Sequence, residues 1–226
     1  YFVKTQGTGD RSVNKDLGFT RAHHVMLSYG FKISDNMNMK IEPYFQQLYD
    51  VPVIADSSYS VLNRRDFYVE NALVNRGKGR NIGVDITLER YLNKGLYYMV
   101  TASIFDSKYY GGDRKWRNTL YNRNFIVNVL GGKEWMVGRD RQNMFSVNFK
   151  ITLQGGDRYA PVDEVATLLD PDREVQYDET KAFSKQFSPM FITNFSVGYK
   201  INWKKVSHEF SIKSLNTTGC EEYYGH

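Results

Sequence analysis

The chain has 226 residues, a formal net charge of +5 at pH 7, 15% aromatic and 24% charged residues, and one cysteine, Cys220. A single cysteine excludes an internal disulfide framework and any cysteine-based metal cluster. The lysines and arginines are dispersed, with no basic helix, RNA-binding signature or zinc pattern, so the charge gives no reason to invoke nucleic acid. No apolar run approaches the roughly 20 residues of a membrane-spanning helix. The mean hydropathy of −0.53 still leaves room for membrane-crossing strands, because alternation averages their hydropathy down.

Residues 1–21 are polar, glycine-bearing and without periodicity, and read as a loop. They contain no targeting segment; one is expected upstream. The first predicted strand puts Val25, Leu27, Tyr29, Phe31 and Ile33 on one face and Ser28, Gly30 and Lys32 on the other, since successive strand side chains point to opposite sides. Ser34-Asp35-Asn36 turns the chain. The second strand sets Met37, Met39, Ile41, Pro43 and Phe45 against Asn38, Lys40, Glu42, Tyr44 and Gln46. Pro43 cannot donate to a ladder, which predicts a bulge there.

A polar loop over about 50–71 precedes the clearest pattern in the chain. Ile82, Val84, Ile86 and Leu88 alternate with Gly83, Asp85, Thr87 and Glu89. Asn93-Lys94-Gly95 suits a tight hairpin. The chain returns with Leu96, Tyr98, Val100, Ala102 and Ile104 facing one way and Tyr97, Met99, Thr101 and Ser103 the other. A second long loop carries Gly111, Gly112, Asp113, Arg114 and Arg117. Strand five follows with Phe125, Val127 and Val129 against Asn124 and Asn128. Gly138-Arg139-Asp140-Arg141 leads into strand six, with Phe145, Val147, Phe149, Ile151 and Leu153 against Ser146, Asn148, Lys150 and Thr152. An acidic loop runs from about Gly155 to Ser188. Strand seven presents Phe191, Phe195, Val197, Tyr199 and Ile201 against Asn194, Ser196, Gly198 and Lys200. Asn202-Trp203-Lys204-Lys205 turns into strand eight, Phe210 and Ile212 against Glu209, Ser211 and Lys213.

A greasy face on one side and a wet face on the other fits a soluble antiparallel sheet over a core, and equally a barrel whose apolar face meets lipid. Two features favour the barrel. Connections are short after strands one, three, five and seven and long after two, four and six, the layout of short turns at one membrane face and long loops at the other. The polar set also repeatedly carries charge, at Lys40, Glu42, Asp85, Glu89, Lys150 and Lys200 among others, which is costly against a packed core but suits a wet lumen. The expected class is all-β: an antiparallel, up-and-down transmembrane β-barrel segment of about eight strands, residues 1–226 forming one partial barrel domain.

Several stretches together resemble the C-terminal part of a TonB-dependent outer-membrane receptor, of the type with a carboxypeptidase-regulatory-like domain and a plug. They are NKDLGFTRAHH (Asn14–His24), EPYFQQLYDVPV (Glu42–Val53), NRGKGRNIGVDITLERYL (Asn75–Leu92), SIFDSKYYGGDRKWRNTLYNRN (Ser103–Asn124), LGGKEW (Leu130–Trp135) and GGDRYAPVD (Gly155–Asp163). The resemblance implies a larger barrel of about 22 strands with a plugged lumen. It also implies location in the bacterial outer membrane and uptake of a scarce, bulky ligand energised by the TonB complex. The implied partners are outer-membrane lipid, the protein's own N-terminal plug, the TonB complex, the ligand and a surface lipoprotein; no cofactor and no enzymatic activity are implied. Neither a plug nor a final strand with a terminal aromatic is expected within these residues. A passive porin-like or structural barrel and an outer-membrane hydrolase are the alternatives.

Individual residues add little chemistry. His23 and His24 are adjacent in a predicted strand and point to opposite faces, a poor arrangement for one metal ion; Ser207 and His208 are separated in the same way. The carboxylates Asp157, Asp163, Glu164, Asp170, Asp172, Glu174, Asp178 and Glu179 could supply oxygens to calcium, but their spacing is not that of an EF-hand. Gly77, Gly79 and Gly83 precede a strand rather than a helix, so they relieve crowding instead of cradling a dinucleotide. Arg158 and Tyr159, following strand six, are the candidate contacts to ligand or plug, with loop anchoring as the competing role.

Overall fold

The computed structural model describes residues 3–4, 12–64, 69, 71–172 and 174–221. In chain order the elements are β1 (Val3–Lys4), β2 (Ser12–Val13), β3 (Arg21–Met26), β4 (Tyr29–Ser34), β5 (Met37–Val53), β6 (Val74–Asn93), β7 (Leu96–Tyr110), β8 (Trp116–Asn118), β9 (Phe125–Val137), β10 (Asn143–Gln154), β11 (Arg158–Tyr159), α1 (Glu164–Leu169), β12 (Lys185–Gln186), β13 (Met190–Asn202) and β14 (Ser207–Ser214). Short 3-10 turns stand at Val61–Asn63 and Glu179–Lys181. The expected loop at 1–21 holds one small exception, the antiparallel pair of β1 with β2.

The main sheet is an antiparallel meander in the order β14-β13-β10-β9-β7-β6-β5-β3, with β4 also paired to β5 and β8 to β7. All eight predicted strands are present; the first is divided into β3 and β4. The strands are long: β5 has 17 residues, β6 20 and β7 15, against a usual five or six. β3/β4 and β14 are the two edges, and the sheet does not close on itself.

The register of β3 and β4 on β5 is the same, Met26 opposite Tyr44 and Tyr29 opposite Ile41. Between them Leu27 N–H donates to the Pro43 carbonyl at 3.1 Å. Pro43, lacking an N–H, cannot return that bond, so the ladder skips without slipping. On its other side Pro43 lies opposite Val84 in unbroken register with β6. The bulge expected at Pro43 is therefore absent. Against β6 the register of β5 shifts between Leu48 and Pro52, where Asp50 adopts a positive φ of 54°, and against β4 it shifts between Lys32 and Ser34. At the hairpin between β6 and β7, Lys94 and Gly95 take φ of 50° and 76°, the left-handed pair that a tight turn between twisted strands requires.

Cross-strand register converts alternation along each strand into rows across the sheet. One row runs Ile41, Ile86, Ala102, Val127, Leu153, Phe191; on the opposite face a row runs Glu42, Asp85, Ser103, Ile126, Gln154, Met190. Nothing is layered on the apolar rows among the described residues: the element pairs in substantial contact are ladder neighbours, apart from the 3-10 turn at Val61–Asn63 against β5. Ile104 is 59% exposed and Ile212 80% exposed. The fully buried apolar side chains Val51, Val53 and Tyr109 instead lie at the end of the sheet where the long loops gather.

That placement makes a test. Val53→Ala is expected to lower unfolding free energy by about 2 kcal/mol, the transfer and cavity cost of a truncated buried aliphatic. Val165→Ala, at an exposed helix position, is expected to change it by less than about 0.5 kcal/mol. Denaturant midpoints compare the two; equal shifts would contradict a core located at the loop end.

Candidate functional site

Two regions carry organised polar chemistry, the wet face of the sheet and the cap of loops at one end of it. On the wet face, side chains link across strands. Ser103 Oγ donates to Asp85 Oδ1 at 2.6 Å, and Thr152 Oγ1 donates to Asn128 Oδ1 at 2.8 Å. Tyr97 Oη donates to Asn148 Oδ1 at 2.7 Å, and Asn148 Nδ2 donates to Ser196 Oγ at 3.2 Å. A longer chain runs from Thr119 through Ser107 and Asn81 to Gln46, with links of 2.9, 2.6 and 2.7 Å. Glu42 pairs with Lys40 on its own strand at 2.8 Å, while Asp85 lies across from it. The Tyr44 ring lies over Gly83, where an added Cβ would stand 2.6 Å from the phenol oxygen. Crowding at Gly83, expected from sequence, is thus a tyrosine folded flat across the next strand.

Between this face and the cap is a recess of about 500 Å³ lined by His24, Tyr44, Gln46, Asn81, Asp85 and Tyr121 among others. It is open to solvent, and Met26 and Phe105 line it beside the polar groups. Geometrically it can receive a ligand of modest size through hydrogen bonds and one carboxylate.

The cap is built on Asn122, fully buried. Its Nδ2 donates to Asp106 Oδ1 and Asn118 Oδ1, and its Oδ1 accepts from the Ser107 N–H, at 2.9, 3.0 and 3.0 Å. Arg158 Nε donates to the Asn122 carbonyl at 2.8 Å and Nη2 to Asn124 Oδ1 at 2.7 Å. Burial pushes the Arg158 guanidinium below its ordinary pKa. Tyr159 stacks on Phe187 with centroids 4.4 Å apart. Both candidate residues therefore anchor the loop that follows β10. Arg123 reaches Asp157 at 2.6 Å and Gln154 at 2.9 Å. Leu120 N–H donates to Asn63 Oδ1 at 2.9 Å, and Ser57 Oγ to Glu179 Oε2 at 3.1 Å. All three long loops are thus tied together.

The other sequence candidates are dispersed. His23 lies opposite Gln47 and His24 opposite Gln46, so the pair splits between faces; the rings meet Tyr49 and Tyr44 respectively. In the acidic loop Asp157 and Glu179 serve the ties to Arg123 and Ser57, and other carboxylates act locally. Asp163 caps α1, Asp170 accepts from Asp172 N–H, Glu174 N–H and Gln176 Nε2, and Asp178 pairs with Lys181 at 3.0 Å. Hydrogen bonds from Thr180, then from Lys181, hold the Asp178 carboxyl down to about 2. Among the described residues no three metal-capable side chains converge. Sequence reasoning missed Asn122 and the Asp113–Arg117 pair, because an isolated loop asparagine or an i,i+4 pair outside a helix carries no pattern that marks it as buried.

Comparison with models of protein families, with curated proteins and with solved structures finds no match to this chain.

Arg117 grips Asp113 with two hydrogen bonds of 2.8 and 2.5 Å, their side chains only 7% and 19% exposed. The guanidinium beside it, through those bonds first, holds the Asp113 carboxyl below the usual carboxylate range. A depressed folded pKa stabilises above the unfolded value, roughly 3.9, and that stability is lost as pH falls through the folded value. Asp113→Asn is expected to cost about 3 kcal/mol at neutral pH by leaving Arg117 buried without its counter-charge. The wild type is expected to lose cap order only in strong acid. Protease sensitivity of the 155–189 loop against pH reports both; equal sensitivity of variant and wild type at pH 7 would contradict the role of the pair.

Proposed function

We propose that this chain is wall of an outer-membrane β-barrel receptor of the TonB-dependent kind, part of a larger barrel that takes up a bulky ligand with energy from the TonB complex. One observation carries the membrane reading. A one-layer sheet presents continuous apolar rows with no protein on them among the described residues, while its opposite face is laced by side-chain hydrogen bonds. Soluble proteins rarely leave a patch of that extent to water, and a bilayer is a solvent that accepts it.

Dimensions agree. On β6 the outward side chains run Arg80, Ile82, Val84, Ile86, Leu88, Arg90, so two arginines bracket the apolar stretch ten residues apart. At about 3.3 Å per residue the separation is about 33 Å, and a strand tilt of about 40° reduces it to about 25 Å, the height of an outer-membrane barrel's apolar band. Outward aromatics gather near both limits, Trp135 and Phe145 in contact at 5.6 Å by the turns, Tyr110 and Trp116 at 5.5 Å by the loops. Those are the places where amphipathic rings sit at membrane interfaces.

The receptor reading draws on the sequence resemblance and on the capped loop end with its recess, which suits selective capture better than free passage. The plug, the TonB complex, the ligand and a surface lipoprotein belong to this proposal.

Two experiments on the full-length protein test it. Ile86→Arg is expected to lower stability in membranes by roughly 2–4 kcal/mol, and Thr87→Arg, on the wet face, far less. Reconstituted in liposomes, the protein is expected to give no swelling with small sugars beyond that of lipid alone. Swelling at porin-like rates would replace the gated receptor with a passive pore, and equal tolerance of both arginines would overturn the orientation.

A further inference from the structure

On the outward face, directly beyond the apolar band at the loop end, the side chains change character. β6 presents Lys78 and Arg80 on this face, opposite Tyr110 and Lys108; Arg76 follows at the break in register between β6 and β5, and Arg76 and Lys78 are exposed. Arg80 lies over the Trp116 ring at 5.5 Å and Lys78 over Tyr110 at 5.8 Å. The carboxylates bordering the cluster are engaged with other cations: Asp50 with Arg21, and Asp106 with Lys108 at 3.3 Å. Among the described residues no ion pair forms at Arg76, Lys78 or Arg80.

We propose that Arg76, Lys78 and Arg80, backed by Tyr110 and Trp116, form a binding site for the phosphate-bearing headgroup of a lipid in the loop-side leaflet. The proposal rests on the membrane-wall reading above. Three features select this ligand. The cluster begins where the apolar rows end, so a lipid whose chains cover Ile82 and Ile104 places its headgroup at Arg80. Guanidinium groups match phosphate oxygens in pairs, and three cations with no acidic partner among the described residues suit a headgroup of more than one negative charge. The aromatic rings hold Lys78 and Arg80 against the wall by cation–π contact, and such rings sit at headgroup depth. At the opposite rim Lys133, outward near the turns, is engaged instead with backbone, donating to the Lys94 carbonyl at 2.6 Å.

The test uses the full-length protein in nanodiscs doped with diphosphorylated lipid A, its dephosphorylated form as the comparison lipid, and native mass spectrometry to count retained lipid. Wild type is expected to retain the diphosphorylated lipid at least tenfold over the dephosphorylated one. The triple variant Arg76→Gln, Lys78→Gln, Arg80→Gln is expected to lose that preference; Arg76→Lys with Arg80→Lys is expected to keep most of it, and Lys133→Gln all of it. Equal retention by wild type and triple variant would overturn the site, as would displacement of the lipid by millimolar inorganic phosphate alone. Quenching of tryptophan fluorescence by acyl-brominated lipid, measured on each sample, reports insertion separately. Quenching with unchanged retention removes this proposal only; no quenching in wild type removes the membrane reading, and this proposal with it.

Discussion

A single-layer sheet must find cover for its apolar side, and that requirement governs the rest of this molecule. Each strand alternates, and register aligns the alternation, so aliphatic and aromatic side chains from Ile41 to Phe191 form rows on one face. Because the period is two, a slip of one residue in any strand would throw its apolar set among the hydrogen-bonded side chains of the other face. The unslipped ladder across Pro43 shows how strongly register is held: one backbone bond is given up and the faces are kept.

The wet face and the cap follow from the same constraint. With no second layer on the sheet among the described residues, the strands are cross-linked by side-chain bonds, Ser103 to Asp85, Tyr97 to Asn148, Asn81 to Gln46. The buried interior is pushed to the loop end, where Val51, Val53 and Tyr109 are shut in under loops fastened by Asn122, Arg123 and the Arg117–Asp113 pair. The described parts of the long connections are therefore tied to one another over the end of the sheet.

Strands were legible because hydrophobic period is a local signal. From Ile82 to Leu88 and back from Leu96 to Ile104, each residue's face follows from its neighbours. The tight turn at Lys94-Gly95 was legible for the same reason, and so was the separation of His23 from His24. The cap was not, because its partners are distant in the chain: Ser57 meets Glu179, and Asn63 meets Leu120. Arg158 and Tyr159 stood out in the sequence, yet nothing local showed that Asn122 and Phe187 would hold them. The cationic cluster was hidden too, since Lys78 and Arg80 gain meaning only when β8 brings Trp116 alongside β7.

The most direct measurement is site-specific labelling of the full-length protein by a probe dissolved in the hydrocarbon of the membrane, with Cys220 first replaced by serine. Cysteines put in turn at Val84, Ile86, Val147 and Phe149 are expected to react, and those at Asp85, Thr87, Asn148 and Lys150 to stay unlabelled. Equal labelling of both sets, or labelling of neither, would contradict a sheet with one face in lipid.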